Sequence, residues 1–303
     1  MSPEQPGVPA GFGREPVSAS AGTGLQEGGS APGPGIPGTK TAPKAAAIKP
    51  VAGAGSVRSG SKGEDVRYEF VPIFMYHVVD HPGRTYAELY VEPADFRAQM
   101  QYLDDNGYHA VTLKQVVAHW QEGWPLPARP VVLTFDDGYP SVYSQAFPIL
   151  KDFNFAATLF INTAKLNKPN GLTAAMLAEM ADAGFEVGSH TISHLDLTTV
   201  SDKVLVREVA GSRETLAQML GTAPVSFAYP AGKADTRVVG AVKAAGYLAG
   251  VTTEYGLAAA DQAPLRLKRI RINGSDGYRG FVKKLAPYRS YLAGFPDLPP
   301  APP

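Results

Sequence analysis

Eight short runs of β-forming residues, separated by segments with helical patterning, constrain the fold of this chain more than any other feature. The runs are 72–79, 109–112, 131–135, 157–162, 186–189, 225–229, 248–252 and 268–272. Strands that alternate with helices at this spacing form parallel βαβ units, in which helices cover both faces of the sheet. Because about eight strands fit into about 220 residues, we expect a closed barrel rather than an open sheet.

The helical segments between these runs have readable ends. Pro93 stands where the first position of a helix is expected, and Gly107 is a typical helix stop. The longest segment covers residues 201–220. These ends place helices in the connections between strands, as a parallel barrel requires.

The first 60 residues differ in composition from the rest of the chain. Of these residues 38 are Gly, Ala, Pro or Ser, and Phe12 is the only aromatic one. Such a segment buries too little apolar surface to offset its conformational entropy. We therefore predict a disordered linker over residues 1–66, a single folded domain over 67–290, and a proline-rich tail over 291–303.

Charge and residue composition exclude several classes of function. The 28 Lys and Arg residues balance 28 Asp and Glu residues, so the basic excess expected of a nucleic-acid-binding protein is missing. The absence of cysteine removes disulfides, thiolate nucleophiles and cysteine-based zinc fingers. Since no apolar run reaches about 18 residues, we expect no membrane-spanning segment.

The cellular location has two open alternatives. No apolar run near Met1 is long enough for the core of a signal peptide. The protein is then either cytoplasmic, or extracellular or cell-surface with a leader or anchor that is not present in this sequence. A stalk rich in Pro and Gly suits a surface protein, so we expect the second location. The sequence does not predict the oligomeric state.

Two adjacent carboxylates follow one of the predicted strands. Residues 131–135 form a buried strand by composition, and Asp136, Asp137 and Gly138 come directly after it. The carboxyl ends of barrel strands are where active sites lie. Two carboxylates in an apolar setting need a cation or hydrogen bonds for compensation. The alternative is an ordinary turn, because Asp-Gly is a common turn dipeptide.

A pair of histidines follows another strand. His190 and His194 come after the run 186–189 and are four residues apart, a spacing that places both on one face of a helical turn. Two imidazoles and one carboxylate leave positions open for water and substrate on a metal ion. The sequence therefore predicts a catalytic metal site formed by the Asp pair and this His pair.

A third histidine, His77, stands near the end of the first predicted strand. All strand ends of a closed barrel face one mouth, so His77 is a candidate proton donor in the same site. The alternative is a core histidine hydrogen-bonded to the backbone.

Four segments together resemble the polysaccharide deacetylases of carbohydrate esterase family 4. They are 134–138 (TFDDG), 190–194 (HTISH), 227–232 (FAYPAG) and 72–77 (PIFMYH). The last of these resembles the branch with a permuted order of motifs, typified by poly-N-acetylglucosamine deacetylases of bacterial biofilms. The resemblance covers about residues 70–275. It implies a distorted (β/α) barrel of about seven or eight parallel strands, an α/β fold, with residues 67–290 as the catalytic domain.

The resemblance also implies roles for individual residues. Asp136 matches the general base of the family, and Asp137, His190 and His194 match the ligands of one divalent ion. His77 matches the general acid of the permuted branch. Zinc is the ion we expect first, because two nitrogens and one oxygen suit it, but nickel, cobalt and iron accept the same ligands.

The third segment departs from the family pattern at two positions. Many members carry an arginine that orients the base where Ala228 stands, and a tyrosine whose backbone N–H serves the oxyanion where Ala231 stands. Ala231 keeps a backbone N–H, so this contact is still expected. We expect Arg269 to replace the missing arginine. The alternative is an ordinary arginine at a strand end.

The resemblance implies an enzyme that removes N-acetyl groups from an N-acetylglucosamine polysaccharide and releases acetate. Aromatic faces stack on sugar rings, and Tyr139 and Tyr229 are our candidates for substrate contact, ahead of Tyr76 and Tyr143. Each of the four suits core packing equally well. Two other classes stay open: a glycan-binding barrel without activity, and an amide hydrolase or deacetylase acting on peptidoglycan, chitin, acetylated xylan or a cyclic imide.

Overall fold

The computed structural model describes residues 66–83, 86–295 and 298. Its strands are β1 (Phe70–Val71), β2 (Ile73–Tyr76), β3 (Val78–Val79), β4 (Tyr90–Val91), β5 (His109–Val111), β6 (Pro130–Phe135), β7 (Thr158–Ile161), β8 (Glu186–Ser189), β9 (Ser226–Ala228), β10 (Ala249–Tyr255), β11 (Ala258–Ala259) and β12 (Leu267–Arg271). Its helices are α1 (Pro93–Asp105), α2 (Leu113–Glu122), α3 (Phe147–Asp152), α4 (Ala174–Asp182), α5 (Asp202–Leu220), α6 (Thr236–Ala244) and α7 (Gly277–Leu292).

Seven parallel strands close into a barrel. Their order is β2-β12-β10-β9-β8-β7-β6, and the pairing of β2 with β6 completes the ring. The register of that closing pair runs from Ile73 opposite Val132 to Tyr76 opposite Phe135. The predicted α/β barrel of parallel strands is confirmed. Each of the eight predicted runs contains a strand, with bounds that differ by one to three residues at most ends.

The second predicted run, 109–112, which becomes β5, lies outside the ring. Val132 of β6 pairs with Ile73 on one edge and with Val111 of β5 on the other. β7 pairs with β6 further along, at Thr134 and Phe135. The same edge of β6 therefore carries β5 along its first half and β7 along its second half. This sharing explains how eight strands produce a ring of seven.

The barrel strands are buried on both faces. All residues of β2, β6 and β7 are buried. Parallel strands covered on one side by helices and filled on the other by barrel side chains read as continuous apolar runs, which is why composition alone located them. Arg269 of β12 and Asp136, directly after β6, are nevertheless buried, at 1% and 2% exposure.

The helix ends follow the local signals in part. Pro93 is the first residue of α1, as predicted, and Gly107 follows that helix with a left-handed φ of 66°. The longest helix, α5, ends at Leu220, as predicted. Helix α7 continues through Leu292, whose side chain is buried. It therefore crosses the position, between residues 290 and 291, at which the sequence predicts the start of a proline-rich tail.

The predicted disordered linker over residues 1–66 lies outside the described residues, apart from Val66. The described part of the predicted tail comprises residues 291–295 and 298. Within the part of the chain that the structure describes, no helix combines the length and the hydropathy needed to cross a bilayer.

Candidate active site

The loop after β6 turns sharply at the predicted Asp pair. Asp137 and Gly138 both have left-handed φ angles, of 73° and 70°. A Cβ atom on Gly138 would lie 3.3 Å from Cδ1 of Ile161, so glycine relieves both strain and crowding there. Asp136 and Asp137 are both buried. The turn predicted for Asp-Gly and the carboxylate pair are thus features of one loop at the carboxyl end of the strand.

Asp136 is held by Arg269 from across the barrel. The two guanidinium NH groups donate to Oδ1 and Oδ2 of Asp136 at 2.7 Å each, a bidentate pair. Arg269 also donates to Oγ1 of Thr134 at 3.1 Å and to the carbonyl oxygen of Thr252 at 2.9 Å. Burial alone would raise the pKa of Asp136, but the guanidinium holds it well below its usual range. Arg269 is therefore a fully engaged partner of Asp136, not a strand-end arginine facing solvent.

Asp137, His190 and His194 form a three-residue cluster beside this pair. Oδ1 of Asp137 lies 3.7 Å from Nε2 of His190 and 3.6 Å from Nε2 of His194. One ligand atom from each residue lies within 4.8 Å of the other two. His190 donates from Nδ1 to the carbonyl oxygen of Ala228 at 2.7 Å, which leaves the Nε2 lone pair facing Asp137. Burial lowers the pKa of His190 and favours the neutral ring that a metal ligand requires.

The cluster fits a tetrahedral ion. Zinc binds nitrogen and oxygen ligands at about 2.0–2.2 Å, so two ligands of a tetrahedral site are about 3.3–3.6 Å apart. Of the two separations from Asp137, 3.6 Å equals the upper end of that range and 3.7 Å exceeds it by about 0.1 Å. Asp137, His190 and His194 are the His, Asp and Glu side chains of the described ranges whose ligand atoms lie close enough together to bind one metal ion.

The loop that carries the two histidines is not a helical turn, contrary to the prediction from their spacing. Thr191 and His194 have left-handed φ angles of 66° and 57°. The N–H groups of Thr163 and Ala164 donate to the carbonyl oxygens of Thr191 and Ile192, at 3.1 and 2.9 Å. These contacts fix a bent loop that brings both rings to one side. The spacing of the two histidines did not predict this loop, because residues four apart share a face only when the backbone is helical.

His77 follows β2 directly beside Asp136. Tyr76 pairs with Phe135 in the barrel register, so the next residue of each strand, His77 and Asp136, stand side by side. Nδ1 of His77 is buried and has no hydrogen-bond partner among the described residues. The backbone hydrogen bond expected of a core histidine is thus absent at that atom. Burial lowers the pKa of His77 to about 4, although the Asp136 and Asp137 carboxylates act in the opposite direction.

The tyrosines divide into buried and accessible ones. The assignment of Tyr229 to substrate contact is wrong, because its ring is fully buried and its hydroxyl donates to the carbonyl oxygen of Leu265 at 2.8 Å. Tyr76 is likewise buried, with its hydroxyl on Gln99. Tyr143 donates to Glu179 of α4. All residues from Ser226 to Pro230 are buried, as are all residues of β2, so strand alternation does not separate Tyr229 or Tyr76 from a surface aromatic.

Tyr139 is half-buried and lies next to Asp137. Burial and the neighbouring Asp137 carboxylate raise the pKa of Tyr139 to about 12. The ammonium group of Lys165 lies 4.5 Å from the centre of the Tyr139 ring and 4.0 Å from Oδ1 of Asp137. Sequence reasoning missed Lys165, although its position shortly after the run 157–162 is the kind of place where barrel enzymes carry functional groups.

Ala231 lies in a short turn, Pro230–Gly232, that follows β9. It is exposed and has a left-handed φ of 52°. Its carbonyl oxygen accepts from Oγ1 of Thr253 at 3.3 Å. The turn therefore lies at the carboxyl end of its strand, the same end as the Asp and His loops. The oxyanion role of its backbone N–H stays a prediction.

Comparisons with known proteins agree with this geometry. The family model described as polysaccharide deacetylase matches residues 124–250, a range that holds Asp136, Asp137, His190 and His194 but neither His77 nor Arg269. YxkH of Bacillus subtilis (strain 168), named as a polysaccharide deacetylase, is 33% identical over 203 residues, which are 67% of this chain and 71% of that protein.

Solved structures and a further relative extend the comparison. The Streptococcus pyogenes deacetylase PplD in complex with acetate has a TM-score of 0.67 at 30% identity, covering 71% of this chain and 97% of PplD. The poly-beta-1,6-N-acetyl-D-glucosamine N-deacetylase of Staphylococcus aureus is 25% identical over 208 residues, which are 64% of this chain and 71% of that enzyme. The barrel, the clustered carboxylates and histidines, and these similarities together show that the chain belongs to the polysaccharide deacetylase family.

Proposed function

We propose that this protein is a metal-dependent hydrolase that removes N-acetyl groups from an N-acetylglucosamine-containing polysaccharide and releases acetate. The observation that carries the proposal is the juxtaposition of two units. One is the Asp137, His190 and His194 cluster, and the other is the buried, arginine-bound carboxylate of Asp136. Family membership supports a hydrolase, and the pairing of these two units supports metal dependence.

The ligands we propose for one divalent ion are Oδ1 of Asp137 and Nε2 of His190 and His194. When bound, such an ion acts as a Lewis acid that polarises the acetyl carbonyl and makes a nearby water more acidic. Zinc is our first choice for a site with two nitrogens and one oxygen. The three side chains supply the ligands, and the hydrogen bond from His190 to Ala228 fixes which ring nitrogen faces the site.

Asp136 is the proposed general base. Each of its carboxylate oxygens accepts one hydrogen bond from Arg269, which leaves further lone pairs free to take a proton from the attacking water. The guanidinium keeps Asp136 ionised, and this makes the carboxylate available but only weakly basic. The water must therefore be made more acidic for proton transfer to occur near neutral pH, which is the chemistry that the divalent ion supplies.

His77 is the proposed general acid. An amide nitrogen is a poor leaving group until it is protonated, so a proton donor has to face the departing amine. With a pKa of about 4, His77 is neutral near pH 7, and the proton it donates must reach it during the reaction. The proton that Asp136 removes from water is a suitable source, because His77 and Asp136 are lateral neighbours at the ends of β2 and β6.

The substrate class rests on the relatives and on one accessible aromatic residue. The Staphylococcus aureus relative is named for an N-acetylglucosamine polymer, and the Streptococcus pyogenes structure is titled as a deacetylase in complex with acetate. Tyr139 presents a half-buried ring beside Asp137, where a sugar ring can stack. Because the substrate is a large external glycan, we also propose an extracellular or cell-surface location. Ala231 is the proposed oxyanion donor.

Removing the metal is expected to abolish acetate release. Incubation of the protein with a chelator, followed by dialysis, should reduce the rate to that of a buffer blank, since the proposed ion both polarises the carbonyl and makes the attacking water more acidic. Adding zinc should restore the rate. The assay measures acetate from oligomers of β-1,6-linked N-acetylglucosamine, chitin, peptidoglycan and acetylated xylan. Hydrolysis of a cyclic imide opens its ring without releasing acetate, so that member of the panel is followed by the loss of the imide. Full activity after verified metal removal would contradict metal dependence, and release only from another member of the panel would contradict the proposed substrate.

Replacing His77 by alanine is expected to slow turnover without loss of metal. The variant lacks the proton donor for the amine, and such donors typically contribute about 10²-fold or more to a rate. The zinc content of the purified variant should equal that of the wild type, because none of the three ligands is changed. His109→Ala is the matched control. His109 is an exposed histidine whose Nδ1 donates a hydrogen bond to the carbonyl oxygen of Ala128. Equal kcat values for His77→Ala and His109→Ala would refute the acid role.

A further inference from the structure

Helix α5 directs a fully buried carboxylate at the loop between the two histidines. Glu208 has no solvent exposure. Its Oε2 atom accepts hydrogen bonds from the backbone N–H groups of Ile192 and Ser193, at 3.1 and 2.7 Å. These two consecutive residues lie between His190 and His194. The contact joins a helix outside the barrel ring to the backbone that carries both imidazoles.

The same face of α5 makes further contacts with this part of the chain. A Cβ atom on Gly211 would lie 3.0 Å from Cδ1 of Ile192, so the helix and the loop approach closely there. Oγ of Ser212 lies 2.7 Å from Oγ of Ser189, the last residue of β8. Residues 208, 211 and 212 are neighbours on a helix surface. They form one continuous support under the strand end and the loop.

The carboxylate is expensive to bury and is only partly compensated. Its second oxygen, Oε1, has no hydrogen-bond partner among the described residues. Arg207 approaches that oxygen to 3.6 Å, but the arginine side chain is 64% exposed. Burying a carboxylate without a complete ion pair lowers stability. What Glu208 does provide is an acceptor for two otherwise unpaired N–H groups.

The loop needs this acceptor because its backbone is strained. Thr191 and His194 occupy left-handed conformations that are unfavourable for residues with a Cβ atom. Such conformations persist only when surrounding contacts fix them. On the carbonyl side the contacts come from Thr163 and Ala164, and on the N–H side from Glu208 and from Oγ1 of Thr191, which accepts from the N–H of His194 at 2.9 Å.

We propose that Glu208 is a positioning residue for the metal site. Through the N–H groups of Ile192 and Ser193, it fixes the loop conformation that sets the separation of the His190 and His194 rings. The inference rests on the proposed function, because the ring separation matters only if the rings share an ion. Groups that orient metal ligands typically change metal affinity by about 10- to 100-fold when they are removed.

The experiment compares Glu208→Ala and Glu208→Gln with the wild type and with Glu214→Ala, which changes an exposed glutamate of the same helix. Amide hydrogen exchange of the metal-free proteins is measured over residues 190–196. The dissociation constant for zinc is measured by competition with a chromophoric chelator. Glu208→Ala should exchange at least about 10-fold faster in that segment and bind zinc at least about 10-fold more weakly. Exchange in the β6 strand should stay unchanged.

Glu208→Gln keeps an oxygen acceptor and the side-chain shape, so it should recover part of the lost exchange protection and part of the lost zinc affinity. If the alanine variant does not fold, the glutamine variant alone tests the proposal. Glu214→Ala should equal the wild type. Wild-type exchange and zinc affinity in both Glu208 variants would overturn the proposal, as would a loss of protection spread evenly over the barrel. If the wild type itself bound no zinc, the proposed function would fail, whereas the exchange data would still judge the role of Glu208 in the loop.

Discussion

Replacing Asp136 by asparagine is expected to lower the rate of acetate release by about 10²- to 10⁴-fold. The amide has no lone pair basic enough to take a proton from water, and every other proposed site residue stays in place. Zinc should remain bound, because Asp137, His190 and His194 are unchanged. The measurement is the initial rate of acetate release from β-1,6-linked N-acetylglucosamine oligomers, together with the zinc content of the same sample.

The Asp136→Asn experiment needs a control for folding, because the change leaves Arg269 buried without its anionic partner. The urea midpoint of the variant is therefore measured beside its activity, and rates are compared only at temperatures where it is folded. Asp182→Asn, at an exposed position at the end of α4, gives the matched control and should leave the rate unchanged. Equal rates for folded Asp136→Asn and the wild type would contradict the base assignment.

Replacing Arg269 by methionine is expected to lower the free energy of unfolding by about 3–5 kcal/mol at pH 7. The change leaves the buried Asp136 carboxylate without its bidentate partner and leaves Thr134 and Thr252 without their donor. Lys268→Met serves as the control on the same strand. Lys268 pairs with Glu254 at 3.1 Å near the surface, where such pairs contribute about 0–1 kcal/mol.

The effect of Arg269→Met should also depend on pH in a defined direction. In the wild type the pKa of Asp136 is lowered, so its contribution to stability is present above the unfolded-state value of about 3.9 and is lost as the pH falls below it. Without the guanidinium, burial raises this pKa, and the variant loses stability as the pH rises from about 4 to 7. Urea unfolding at several pH values measures the difference. An Arg269→Met variant as stable as Lys268→Met throughout would refute the buried-pair account.

Composition and chain order were sufficient to predict the barrel. Buried parallel strands read as apolar runs because both of their faces are covered, and the eight runs each gave a strand. Residue composition does not indicate which neighbour a strand pairs with. β5 is the short strand His-Ala-Val, of which only Val111 is buried, and it lies outside the ring because β7 takes the second half of the same edge of β6.

Site residues could be predicted from the sequence where their position at the end of a strand determines where they lie in the barrel. His77 and Asp136 follow strands that are lateral neighbours, and Arg269 meets Asp136 because ring closure brings β12 next to β2 and β2 next to β6. The sequence did not predict features that depend on local backbone conformation. The loop at His190 is set by contacts from residues 163, 164 and 208, which no spacing rule includes. Tyr229 is buried because its ring packs against Phe227 and its hydroxyl donates to the carbonyl oxygen of Leu265.

Whether Asp137, His190 and His194 share one metal ion can be measured by the anomalous scattering of crystals grown with zinc, recorded above and below the zinc absorption edge. We expect one strong peak per chain at about 2.0–2.2 Å from Oδ1 of Asp137 and from Nε2 of His190 and His194. The Asp136 carboxylate should remain on Arg269 and should not become a ligand. A zinc ion bound elsewhere, or none at this cluster with the metal in excess, would contradict the account.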